Sequence, residues 1–207
     1  MSSFADKRIQ GLSLLFFVSG FAALLYQVAW QRLLFLAFGV DMTSVTVIVS
    51  AFMLGLGGGA LLGGWWVDQA KPSRALAGFA LAEACVGLFG FVSPWLLRAV
   101  GESGAQWSQA EVGAASFGML LLPTAAMGAT LPILVTVVSR LWRHVGAATG
   151  ILYSVNTLGG AVGAIAAGVW VFDVLTLDGA IRLAATLNVL VAGIASFSLS
   201  YPNARGS

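Results

Sequence analysis

The stretch SVTVIVSAFMLGLGGGALLGGWWV, Ser44 to Val67, holds no charged residue. About 20 apolar residues suffice for a helix to cross the hydrocarbon core of a bilayer, so this segment reads as a membrane span. Its glycines are compatible with that reading. Gly55, Gly59 and Gly63 recur every four residues and place one small face on a helix, where a second helix can approach closely. Gly55-Leu56-Gly57-Gly58-Gly59 has the superficial look of a nucleotide loop, but it lies within an apolar run with no Lys-Ser/Thr after it.

Working outward, five further apolar stretches have the same character. With the first they give spans at about 10–38, 44–67, 75–100, 112–139, 146–172 and 180–199. The linkers between them are short and carry the helix breakers, among them Gly39, Pro72 and Gly101. Hydrophobic residues make up 59% of the 207 residues and charged residues 9%. Soluble domains carry roughly 25% charged residues. The mean hydropathy of +0.94 agrees. The expected fold is therefore all-α, a single transmembrane domain over 1–207 built as a bundle of six helices, with no length left for a soluble domain. The N-terminal apolar run is too long for the h-region of a cleaved signal and reads as the first span.

Charge sets the orientation. With the N-terminus inside, Lys7, Arg8, Lys71, Arg74, Arg140, Arg143 and Arg205 fall on the cytoplasmic side. Arg98 and Arg182 fall outside, and Arg32 lies within the first span. This asymmetry predicts cytoplasmic termini. The expected location is a bacterial inner membrane. The basic residues are scattered and form no stripe, so no nucleic-acid partner is expected. Trp65, Trp66, Trp95, Trp107 and Trp142 fall near span ends, as interfacial anchors do. Cys85 is the only cysteine; it excludes an intrachain disulfide and reads as a small buried hydrophobe. His144 reads as a solvated loop residue.

No enzymatic motif is present: no phosphate loop, no paired His ligands, no nucleophile elbow. No catalytic residue, cofactor or metal is expected. Glycines repeat the small face in the fifth span, at Gly159 and Gly163 with Ala167, so this helix too is expected to pack tightly. Pro123 and Pro132, with Met127 to Thr130 between them, are expected to break up the fourth span.

Ionisable groups inside a bilayer are costly and point to function by default. Arg32 lies near an interface and can snorkel. Glu83 lies about 12 Å into the third span at 1.5 Å per residue. Asn156 enters the fifth span from the same side by a similar distance, Tyr153 lies one turn from it, and Gln27 and Tyr26 lie somewhat deeper in the first. These five residues form the candidate polar cluster. It can serve as interhelical glue or as a proton or polyamine site.

The stretches Gly20 to Leu34 (GFAALLYQVAWQRLL), Ala51 to Gly57 (AFMLGLG), Leu122 to Pro132 (LPTAAMGATLP) and Leu152 to Gly163 (LYSVNTLGGAVG) together resemble the membrane domain of the spermidine-synthase-like integral membrane proteins. The resemblance implies a membrane domain that is usually followed by a cytosolic aminopropyltransferase-like domain, which is absent here; the transferase activity is not carried over. Gln27 stands where the family often has Glu, which removes a charge. Gly64-Trp65-Trp66-Val67-Asp68, followed by Lys71 and Arg74, resembles a degraded cytoplasmic loop motif of one six-helix half of a major facilitator transporter.

Two classes of function fit. One is a non-catalytic membrane module that anchors or assembles with a partner, whether another protein subunit or a second copy of itself. The other is a small-solute transporter for polyamine-like cations, acting as a dimer of six-helix units. A polyamine calls for several carboxylates or aromatic faces, and a single intramembrane carboxylate favours the first.

Overall fold

The structure, a computed structural model, describes residues 2–39, 41–103, 106–142 and 144–200. Arg143 and Arg205, two of the seven residues that set the orientation, lie outside them. The described chain is helical, with six helices long and apolar enough to cross a membrane. We number them α1 (Ser2–Phe38), α2 (Asp41–Asp68), α3 (Pro72–Glu102), α4 (Gln109–Trp142), α5 (Val145–Val174) and α6 (Leu177–Ser200).

The boundaries have local causes. Gly39 ends α1 at φ +65, a conformation that needs no Cβ, and its N–H closes the turn on the Phe35 carbonyl at 2.8 Å. Pro72 opens α3, where its missing N–H costs nothing. Ser108 and Glu111 form a reciprocal cap before α4: the Ser108 N–H donates to the Glu111 carboxylate at 2.7 Å and the Glu111 N–H donates to Ser108 Oγ at 3.3 Å. The expectation that prolines break the fourth span is corrected. α4 is one continuous helix through Pro123 and Pro132. Hydroxyls bond carbonyls in the same turns: Thr124 Oγ1 donates to Leu120 O at 2.8 Å, and Thr136 Oγ1 to Pro132 O at 3.0 Å. Irregularity falls instead in α5, which widens into a π turn at Ala167–Val171.

The packing pairs are specific. α2 lies chiefly on α4, α5 chiefly on α1, and α3 chiefly on α6, while α3 also meets α4 and α1 also meets α6. This pattern is unchanged when α1, α2 and α3 are exchanged for α4, α5 and α6. Two of the helix limits repeat in the same way. The starts of α2 and α5, Asp41 and Val145, lie 104 positions apart (145 − 41), as do the ends of α1 and α4, Phe38 and Trp142 (142 − 38). The close contacts repeat at the same offset. A Cβ on Gly59 would collide with the Ala125 carbonyl, and one on Gly163 with the Phe21 carbonyl. A Cβ on Gly128 would collide with the Leu56 backbone, and one on Gly160 would lie 2.9 Å from the Leu24 side chain. Three helices per half place the second half upside down relative to the first, so the bundle is an inverted 3+3 repeat.

The two glycine-rich faces therefore do not meet each other. Gly55, Gly59 and Gly63 receive α4, and Gly159 and Gly163 receive α1. Large apolar side chains such as Leu61, Leu81, Leu122 and Val169 point outward, as they must in lipid. Cys85, read as buried, is exposed on the outer surface of α3. Arg32 sits 4.1 Å from the centre of the Phe172 ring, so a cation–π contact accompanies its exposure.

Candidate functional site

α1 and α3 run parallel, and a polar seam joins them. Glu83 faces the interior with 1% of its surface exposed. The Ser19 hydroxyl donates to Glu83 Oε1 at 2.6 Å, and Asn188 Nδ2, from α6, donates to Oε2 at 2.5 Å. One carboxyl group thus joins α1, α3 and α6, and each of its oxygens has a partner. Seven residues further along both helices, the Tyr26 hydroxyl rests against Gly90, where a Cβ would collide with it. One turn beyond, Trp30 Nε1 donates to Ser93 Oγ at 2.9 Å, and Ser93 Oγ donates to the Gly90 carbonyl at 3.0 Å. Tyr26 stacks on Trp30 with ring centroids 4.6 Å apart, and Phe89 meets the indole edge-on at 5.7 Å. Tyr26 Oη and Asn188 Oδ1 are buried without a hydrogen-bond partner among the described residues.

Only part of the expected cluster is assembled here. Glu83 is buried as expected, and Tyr26 shares its seam. The partners of Glu83 are Ser19 and Asn188, not Asn156 or Tyr153. Asn156 instead donates from Nδ2 to the Phe16 carbonyl at 3.0 Å, tying α5 to α1. Tyr153 is 61% exposed and faces outward. Gln27 is half-buried on α1. The physical reason is packing order: α5 lies on α1 and α4, which separates its polar residues from α3.

Sequence reasoning missed Asn188 although the signal was there. Depth matching among helices that enter from the cytoplasmic side passes over α6, which returns to that side. Counted back from Ser198, Asn188 lies 10 residues deep (198 − 188), close to the 9 residues from Arg74 to Glu83 (83 − 74). The arrangement has no counterpart in the second half, where Pro123 and Leu187 stand 104 positions after Ser19 and Glu83.

At the other end of α3, Arg98 pairs with Asp178 of α6: Nη1 donates to Oδ2 at 3.0 Å, and Nη2 donates to Oδ1. Among the described residues, no three His, Cys, Asp or Glu side chains converge as they would around a metal ion. Chemically, the seam supplies buried neutral hydrogen bonds and one carboxyl group able to carry a proton. Ser93→Ala removes the acceptor of the Trp30 indole; in membrane helices such a contact averages about 0.6 kcal/mol. Unfolding in mixed micelles is expected to register a loss of that size, accompanied by a shift in the buried tryptophan's fluorescence. No family model, curated protein or solved structure matches this chain.

Proposed function

We propose that this membrane protein is a non-catalytic module, similar to the membrane domain of the spermidine-synthase-like proteins, that anchors or assembles with a partner protein. The observation carrying this reading is the use made of Glu83. Both of its oxygens are spent on side chains of α1 and α6, so the deeply buried carboxyl acts as a fastener between three helices. The motifs at Leu122–Pro132 and Leu152–Gly163 support the kinship. The test is flux of spermidine and of protons in proteoliposomes, expected to equal that of protein-free vesicles.

The inverted 3+3 repeat supports a second reading, a transporter of polyamine-like cations made of two such units, because transporters are often built from inverted repeats. Spermidine flux that Glu83→Gln abolishes while the protein stays folded would establish this reading and sink the first.

The proposed location is a bacterial inner membrane with both termini cytoplasmic. The basic residues Lys7, Arg8, Lys71, Arg74 and Arg140 at one set of helix ends support it. A tag after Ser207 is expected to be labelled in inside-out vesicles and protected in intact cells; the reverse pattern overturns the topology.

A further inference from the structure

Near the N-terminal end of α1, a groove of about 550 Å³ opens on the side of the bundle. Its volume lies in the range of roughly 300–1,000 Å³ typical of small-molecule sites. α1 and α5, the latter through Ile151 and Val155, line the groove together with Trp142 at the end of α4. The α1 wall is graded. Lys7, Gln10, Leu14 and Phe17 are spaced three, four and three apart and so lie on one helical face, with Ser13 beside Gln10. The lining of the groove passes from two uncharged polar side chains to a wholly apolar surface, and exposed Lys7 lies one turn before Gln10 on the same helical face, beyond that lining. Neither Gln10 nor Ser13 spends its side chain on a hydrogen bond to another described residue. No charged residue lines the groove.

Depth makes this order informative. At 1.5 Å per residue, Gln10 lies about 4.5 Å, Ser13 about 9 Å and Phe17 about 15 Å along the helix from Lys7. A phospholipid seen from the bilayer surface presents the same sequence: phosphate, glycerol esters, hydrocarbon. The headgroup region of each leaflet is about 5–8 Å deep, which places the esters at Gln10 and Ser13 when the phosphate is at Lys7. Basic residues close to the membrane surface attract anionic headgroups toward such a recess.

We propose that this groove is a binding site for one anionic phospholipid. The phosphate pairs with Lys7, the ester carbonyls accept from Gln10 and Ser13 beside Trp142, and one acyl chain starts at the indole and lies against Leu14, Phe17, Ile151 and Val155. The lysine beyond the polar end of the groove favours anionic over zwitterionic lipid, because a net negative headgroup is attracted to it and a zwitterionic one largely is not.

The experiment uses the full chain in nanodiscs containing phosphatidylglycerol or phosphatidylcholine with brominated acyl chains, which quench nearby indoles. Trp142 is read as the difference between the parent protein and Trp142→Phe. Half-quenching of Trp142 is expected at about fivefold less brominated phosphatidylglycerol than phosphatidylcholine, since one basic residue contributes about 1 kcal/mol to anionic-lipid attraction. Lys7→Gln, at an exposed position where folding is not at stake, should erase that preference while leaving phosphatidylcholine quenching unchanged. Equal quenching by the two lipids in the parent protein overturns the proposal. So does a preference that survives Lys7→Gln, or a Trp142 shielded from both lipids by a second protein copy.

Discussion

Glu83→Leu is expected to destabilise the bundle by about 2 kcal/mol, because it leaves the Ser19 hydroxyl and the Asn188 amide buried without an acceptor. An orphaned buried donor costs about 1–3 kcal/mol. Part of this is returned, since leucine is apolar and removes the carboxyl's own burial cost. Glu83→Gln keeps one acceptor oxygen and should cost less than about 1 kcal/mol. The decisive measurement is a double-mutant cycle. Asn188→Leu combined with Glu83→Leu removes donor and acceptor together, so the pair should be more stable than the sum of the single losses. Strict additivity in mixed-micelle unfolding would show that the two side chains do not depend on each other.

The glycine contacts predict a still larger effect, and in matched pairs. Gly59→Leu must push α4 off α2, because even the Cβ collides with the Ala125 carbonyl. Gly163→Leu must push α1 off α5 through the Phe21 carbonyl. Backbone cannot turn aside as a flexible side chain can, so each should cost about 3 kcal/mol or more, at the upper end for overpacking. Because the two sites are related by the repeat, their losses should be similar. Gly58→Leu and Gly168→Leu are the controls: nothing lies within 4 Å of a Cβ at either position, and both should stay within about 0.5 kcal/mol of the parent. Loss of folded protein in the controls as well would point to a requirement for flexible helices and not for close approach.

The spans were legible because a bilayer imposes one requirement on every crossing segment, about 20 apolar residues without charge. The small faces were legible because a four-residue glycine period has few other uses in a membrane helix. Which helix each face receives was not, since the period says nothing about the neighbour's identity. Glu83 was found because buried charge is conspicuous, and its partners were missed because a serine and an asparagine are cheap enough in a bilayer to occur in many places. Pro123 and Pro132 misled for a related reason. Each removes one helix hydrogen bond, to Met119 for Pro123 and to Gly128 for Pro132, and the flanking turns carry the helix through both positions without a break.

The odd number of helices in each half has a consequence for how the chain enters the membrane. Two copies of a three-helix unit can be fused head to tail without an extra crossing only if the second copy is threaded in the opposite sense. A single unit inserted freely would therefore have had to tolerate both directions. A separated half should retain some of that indifference. Expressed alone, Met1 to Glu102 carries four basic residues on one flank, Lys7, Arg8, Lys71 and Arg74, against Arg98 on the other, and should hold its direction. The second half has Arg140, Arg143 and Arg205 opposed by Arg182, a smaller bias, which two added lysines beside Arg182 should cancel so that a share of the molecules turns over. Direction in this bundle would then be dictated by the leading half and inherited by the trailing one.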